Sequence, residues 1–264
     1  MTSDSNAPGL TPAQIDAFIA DGFVRIDNAF PRALAEQAAA ILWRDAGCDP
    51  GAPASWRAPV IRLGHYAQPV FREVANTPRL HAAYDQLAGA GRWVPPRALG
   101  TFVLRFPAQQ PPGDDGWHID VSFETDTPDF LDWRANVVSR GRALLMLFLF
   151  TDVGEDDAPA RIRAGSHRDI ARQLAPAGEA GLALRELAAD GFAGSAHRRE
   201  VLATGAAGTV YLCHPFLVHA AQPHRGTRPR ILAQPPLFPA APLDPWRTDA
   251  APVEAAIRDA IKAG

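Results

Sequence analysis

The sequence has little cysteine: Cys48 and Cys213 are the only two in 264 residues, too few for a disulfide framework. It contains no apolar run near the roughly 18 residues that a membrane span needs. The opening "MTSDSNAPGL" has neither the basic region nor the apolar core of an export signal. Blocks of like charge are also missing, since the formal net charge is -3 and Lys and Arg are scattered. These absences argue against a stapled secreted scaffold and a membrane span. They also remove the broad field that would draw nucleic acid or an anionic membrane surface, and the cytoplasm is the expected compartment. The chain does have 47% hydrophobic and 21% charged residues, as expected of one domain over residues 1–264. At this length roughly three quarters of the unfolded surface can be buried, so a bound metal would serve chemistry and not folding.

Punctuation separates a helical N-terminal part, to about residue 95, from a strand-rich core over about 96–238 and a proline-rich C-terminal extension. "TPAQIDAFIADG" opens with Thr11, Pro12 and Gln14, the signature of an N-cap, a first-turn proline and a capping-box partner. "FVRI" (residues 23–26) reads as a strand, Pro31 starts a second helix, and "TPRLHAAYDQLAG" reads as a third, ended by Gly89 or Gly91. Seven short β-like runs follow: "TFVLRF", "WHIDVSF", "ALLMLFLFTDV", "ARIRAG", "REVLA", "GTVYLCH" and "RILAQ". Turns rather than helices separate most of them, which predicts an antiparallel sandwich or barrel. "GEAGLALRELAADG" is the one helical insertion expected there. Prolines between residues 235 and 245 predict an extended tail, and a last helix begins near Pro252.

Chemistry is first suggested in "GWHIDVSF". His118 and Asp120 stand two positions apart, so on a strand both face one side, with Trp117, Ile119 and Val121 on the other. The pair admits two readings: half of a metal site, or an ordinary histidine beside a turn-bonded aspartate. An ionised carboxylate on the inner face of a barrel is costly unless a cation or donors meet it. About a hundred residues later, "GTVYLCHPFLVHAAQPHRGTRPRILAQ" carries His214, His219 and His224. One of them can complete the two-histidine, one-carboxylate face found in non-haem Fe(II) oxygenases. An arginine on the following strand can fork onto a carboxylate of a second reactant.

These segments resemble the phytanoyl-CoA dioxygenase superfamily of Fe(II)- and 2-oxoglutarate-dependent oxygenases. "LTPAQIDAFIADGFVRIDNAF" is similar to that family's opening, "WHID" to its first metal motif, and "DDAPARIRAGSH" to the segment ending in P-G-S-H. "HPFLVHAAQPHRGTRPR" resembles its closing motif, with an arginine eleven residues beyond the second metal histidine. The resemblance implies a mainly β fold with flanking helices around a double-stranded β-helix, the cupin-like jelly roll. It implies His118, Asp120 and His219 as Fe(II) ligands and as the catalytic centre, Arg230 as the anchor of the distal carboxylate of 2-oxoglutarate, and Arg105 beside that co-substrate. Dioxygen is the third reactant, and hydroxylation of a small molecule, with succinate and CO2 released, is the usual outcome. The chain departs from the pattern at Ala221, where serine is frequent, at Ala164 for the proline, and at Ala158 for the glycine of N-G.

The segment after Asp120, "SFETDTPDFLDWRANVVSRGRA", is long enough to lie over the metal, and it offers Phe123 and Trp133 to a substrate. Arg161 and Arg163 alternate on "ARIRAG" and are further candidates for a substrate bearing an acid group. Two other classes are weighed beside the oxygenase. One is a non-oxidative enzyme on the same barrel using Zn(II) or Mn(II) as Lewis acid, against which Arg230 stands. The other is a non-catalytic small-molecule binder, against which the complete ligand set stands.

Overall fold

The computed structural model describes residues 8–121, 123 and 127–264. The first seven residues of the stretch read for an export signal, and residues 122 and 124–126 of the "WHIDVSF" run and expected lid, lie outside the described residues. In chain order the elements are α1 (Pro12–Asp21), β1 (Phe23–Ile26), α2 (Arg32–Ala46), β2 (Val60–Leu63), α3 (Pro69–Ala75), α4 (Pro78–Ala88), β3 (Phe102–Arg105), β4 (Arg134–Ala135), β5 (Leu144–Leu149), β6 (Arg161–Arg163), α5 (Ser166–Leu174), β7 (Leu182–Ala183), α6 (Leu184–Leu187), β8 (Glu200–Leu202), β9 (Val210–Cys213), β10 (His219–Ala220), β11 (Arg230–Ala233), β12 (Pro236–Leu237) and α7 (Pro252–Lys262). No helix among the described residues is long and apolar enough to cross a membrane.

The major sheet runs β1-β9-β5-β11-β3-β2, with β12 also paired to β5, and every pairing is antiparallel. A smaller sheet, β10-β6-β8, packs against it. β5, "LLMLFL", is buried at every position because both of its faces are covered. Leu145, Leu147 and Leu149 share an inter-sheet core with Cys213, Leu232 and Ile162 of the smaller sheet. Leu144, Met146 and Phe148 meet Phe18 of α1, Leu42 of α2, Tyr84 of α4 and Ile257 of α7. Two-sided burial calls for a continuous apolar run, and each such side chain contributes about 1.5–3 kcal/mol. This is the jelly roll expected from the sequence, with helices backing the larger sheet.

The same alternation aims the functional side chains. Arg230 lies two residues before Leu232 on β11 and therefore shares its inward face. His219 is directly opposite Ile162 across the β10–β6 pair, so its ring enters the inter-sheet space from the other sheet. At the start of the chain, Thr11 and Gln14 close the expected capping box on α1. Gly22 ends that helix with φ 83°, and a Cβ there would stand 2.4 Å from His167 Nδ1, so glycine is required by both backbone and contact.

Three expectations change. "WHIDVSF" is not a continuous strand: among its described residues, His118 bridges to His219 and Phe123 to Arg134 as isolated pairs. Between them the Val121 carbonyl accepts from the Arg142 side chain instead of a ladder partner. The helix expected in "GEAGLALRELAADG" shrinks to the single turn of α6. Gly178 and Gly181 take positive φ there, and Leu182–Ala183 pairs with β4. Conversely, α5 is a helix not among the expected elements, although Ile170, Ala171 and Leu174 stand at helical spacing and are buried on one face. Its buried face begins with Ser166, whose hydroxyl accepts from the Val218 N–H, and His167, which meets the Ile19 carbonyl.

Candidate metal centre

The backbones of His118 and His219 exchange two hydrogen bonds of 2.9 Å, one in each direction, which brings their rings to 4.3 Å between centroids. Asp120 joins them, and one ligand atom from each of the three side chains lies within 4.8 Å of the others. Each imidazole is oriented by a carbonyl two residues earlier: His118 Nδ1 donates to Gly116 at 2.9 Å and His219 Nδ1 to Leu217 at 3.0 Å. Committing Nδ1 as the donor leaves Nε2 of each ring as a lone pair, the arrangement that metal-binding histidines use. Burial, and then the neighbouring His118, hold the His219 pKa down to about 4, so this ring is neutral and ready to ligate at ordinary pH. Asp120 Oδ2 lies 2.9 Å from Arg142 Nη1. Two imidazoles and one carboxylate fit a divalent ion of the iron class, and three protein donors leave coordination positions for reactants.

A cavity of ≈ 70 Å³ runs from His118 past Ala221 to Arg230, with Arg105, Arg62 and Asp114 on its walls. Arg230 and Arg105 are direct cross-strand partners, a like-charge pair that is unfavourable unless acids answer it. Asp114 answers Arg105, with both oxygens within 2.8 Å of Nη2, and also pairs with Arg62. Arg230 receives no such answer. It is 3% exposed, and its Nε and Nη1 have no hydrogen-bond partner. Arg105 Nε is unpartnered as well. Burial first, and then Arg105, lower the Arg230 pKa to about 9 against the opposing pull of Asp114 and Asp157, so at neutral pH the guanidinium is a buried cation with no acceptor on Nε or Nη1. A carboxylate is the chemistry that such a fork lacks. The larger groove of ≈ 690 Å³, beside Phe30, Glu73 and Thr77, contains none of these residues.

The family profile described as "Phytanoyl-CoA dioxygenase (PhyH)" matches residues 18–232. The chain belongs to the phytanoyl-CoA dioxygenase family. No curated protein matches it in sequence. Solved structures share its fold at low identity. The non-haem α-ketoglutarate-dependent carbocyclase SnoK from nogalamycin biosynthesis is 19% identical, with TM-score 0.59 over 87% of this chain and 84% of that one. HygX from Streptomyces hygroscopicus, crystallised with nickel and 2-oxoglutarate, is 21% identical, with TM-score 0.55 over 89% of this chain and 88% of its own. EctD from S. alaskensis, with bound Fe, is 21% identical, with TM-score 0.54 over 91% and 79%.

The other residues singled out in the sequence of this phytanoyl-CoA dioxygenase family member fall into separate groups. Ala158, in place of the family's glycine, has φ 51°, a left-handed backbone that glycine would take without strain. Arg161 and Arg163 flank the inward-facing Ile162, so they lie on the opposite face of β6 from the triad. Their guanidiniums sit 4.5 and 4.1 Å from the Trp117 ring. Arg163 also donates to the Phe192 carbonyl and to Ser195 Oγ. Phe123 lies under the Arg140 guanidinium, and Trp133 packs on Phe130 with its Nε1 buried and unpartnered. His224, 6% exposed, accepts from the Gly226 N–H at Nδ1 and leaves Nε2 unpartnered, with Asp157, Arg230 and Arg105 bearing on its charge. The sequence reading did not single out Arg142 or Asp114. Both stand in loops of mixed charge, where no spacing marks one arginine or aspartate from the next.

His214 is not among the three converging side chains, His118, Asp120 and His219. It packs on His167 at 4.8 Å between centroids, accepts from the Phe216 N–H, and bonds the Val253 carbonyl of α7. His167, on α5, bonds the Ile19 carbonyl of α1, so the two packed rings link α1 and α7 through α5 and the end of β9. Burial holds the His167 pKa at about 3 and that of His214 well below 6.5. Both folded-state values are depressed, so the unfolded chain takes up protons first. Stability is therefore full above about pH 6.5 and falls as pH drops toward 3, by up to about 1.4 kcal/mol per pH unit for each group. Thermal midpoints taken from pH 7 to pH 5 should fall, and a midpoint that stayed flat would contradict this reading of the pair.

Proposed function

We propose that this chain is an Fe(II)- and 2-oxoglutarate-dependent oxygenase, folded as one domain, that hydroxylates a small molecule and releases succinate and CO2. Arg230, buried with Nε and Nη1 unpartnered, carries the reading, because it lines the same cavity as His118 of the triad. His118 and His219 would hold Fe(II) through Nε2, and Asp120 through a carboxylate oxygen. Fe(II), when bound, supplies the redox centre at which dioxygen and 2-oxoglutarate are consumed and a substrate C–H bond is oxidised.

The residues of the chain do the rest. Arg230 would fork onto the distal carboxylate of 2-oxoglutarate, and Arg105, kept in place by Asp114, adds positive potential to the same wall. The arginine pair is buried, so its charges act with little solvent screening and fix which end of a dicarboxylate lies deepest. Phe123 and Trp133 would contact the substrate. Arg161 and Arg163 would support the site by clamping Trp117, the residue before His118.

Anaerobic titration with Fe(II) and 2-oxoglutarate tests the proposal. A weak visible charge-transfer band should appear only when both are present, and admitting air with a panel of small metabolites should then yield succinate. A chain that bound a divalent ion but gave neither band nor succinate would instead be a non-oxidative metal enzyme or a binding protein.

A further inference from the structure

Asp120 is the least supported of the three proposed metal ligands. His219 stands on β10, and His118 is held to it by reciprocal backbone bonds, but Asp120 lies two residues beyond that bridge, where no ladder continues among the described residues. A ligand on such a segment keeps its aim only if something outside the segment holds it. Arg142 reaches it from the residues that lead into β5. Its Nη1 stands 2.9 Å from Asp120 Oδ2, and its Nε donates to the Val121 carbonyl at 2.7 Å. One guanidinium therefore grips both the ligand carboxylate and the backbone next to it.

Arg142 is itself well anchored. Its N–H donates to the Ser139 carbonyl and its own carbonyl accepts from Ser139 Oγ at 2.6 Å. Ser139 is fully buried and takes φ 40°, a strained position for a residue other than glycine, and the Ala143 N–H that follows is bonded to Leu237 of β12. The grip thus joins the Asp120 segment to the larger sheet, while His118 and His219 belong to the smaller one. The Asp120 and Arg142 side chains are each 17% exposed, so solvent screens part of their attraction and the grip acts by position more than by charge.

We infer that Arg142 is a positioning residue for the metal centre: it occupies Asp120 Oδ2, leaves Oδ1 as the oxygen presented to the ion, and fixes that oxygen relative to the two Nε2 atoms. This rests on the triad being the metal site. Two effects oppose each other in it. The guanidinium repels a divalent cation, yet it also removes the freedom of a carboxylate that has no strand to hold it. Partners that orient a metal ligand are worth about 10–100-fold in metal affinity, so orientation is the larger effect here.

The test uses the full-length, metal-free protein titrated with Co(II) alone, followed by calorimetry and by the visible d–d bands, with thermal midpoints as the check on folding. Arg142→Gln should bind Co(II) about 10–100-fold more weakly than the parent. Its d–d intensity should also differ, because a released carboxylate can offer both oxygens. Arg142→Lys, which can restore the ion pair but not the added bond to Val121, should recover part of the affinity. Parental affinity and spectrum in Arg142→Gln, or tighter binding, would overturn the inference and make Arg142 a counter-ion of the metal-free site. Asp120→Ala serves as the control on the triad. If the parent bound no Co(II), or if Asp120→Ala bound it as well as the parent, the triad itself would fail and this inference with it.

Discussion

Replacing Asp120 with alanine is expected to abolish both metal binding and succinate formation while leaving the metal-free fold close to its parental stability. The first half follows from the ligand set. Without Asp120, the site is reduced to the two imidazoles of His118 and His219 and loses its one anionic donor. That loss exceeds the roughly 10–100-fold that an orienting partner costs. The second half follows from what Asp120 touches when no ion is considered. Its contact is the Arg142 pair, with both side chains 17% exposed, and a partly exposed pair of this kind is worth about 1 kcal/mol or less. Arg142 would keep its bond to the Val121 carbonyl, and a midpoint change of no more than about 2–4 °C is expected for a chain of this size. Metal binding by calorimetry, succinate release and a thermal scan of the metal-free protein decide it. Turnover that survived the substitution would show that the three residues do not form the working centre.

How much of this could be read before any coordinates depends on which groups write themselves into spacing. The i, i+2 placement of His118 and Asp120 and the eleven-residue interval from His219 to Arg230 are linear facts, and the structure brings these side chains to one inter-sheet space. β5 was equally plain, because burial on two faces leaves only apolar residues. The capping box on α1 and the turn at Gly22 are local chemistry, complete within a dozen residues.

Other parts depend on partners far away in sequence. α5 shows its apolar face in Ile170, Ala171 and Leu174, but the burial of its first positions, Ser166 and His167, is intelligible only against the Val218 N–H and the Ile19 carbonyl. His214 reads as a metal candidate among three histidines, and only its packing on His167 and its bond to Val253 show it to be a tie between terminal helices. Arg142 stands in "SRGRA", indistinguishable by pattern from Arg140 two positions earlier, although one reaches Asp120 and the other lies over Phe123. The lesson is physical. Periodicity reports what a residue shares with its neighbours on one element, whereas a buried polar group is licensed by a partner on another element.

Arg230 gives the second large effect, with opposite signs in two measurements. Changing it to methionine should weaken 2-oxoglutarate binding by the cost of losing a buried charge-assisted fork. That cost is about 2–5 kcal/mol, or roughly thirty-fold to several-thousand-fold in affinity. The same change should leave the ligand-free fold at least as stable as the parent. Arg230 is buried with Nε and Nη1 unpartnered and with Arg105 directly across the strand pair, and the attraction of Asp114 and Asp157 does not offset its desolvation and that repulsion. The sign with pH follows from its depressed pKa of about 9 against an ordinary 12.5: the charged form is disfavoured in the fold. The penalty is present in full below about pH 9 and fades as pH rises from there toward 12.5, so it does not vary between pH 6 and 8. Thermal scans in that range should therefore show Arg230→Met at or above the parent without ligand. Adding 2-oxoglutarate at a hundred times its parental Kd should raise the parent by about 2.7 kcal/mol and the variant by far less. A variant that lost ligand-free stability and kept its affinity would make Arg230 a structural cation, and the acid that completes it would then have to come from the protein itself.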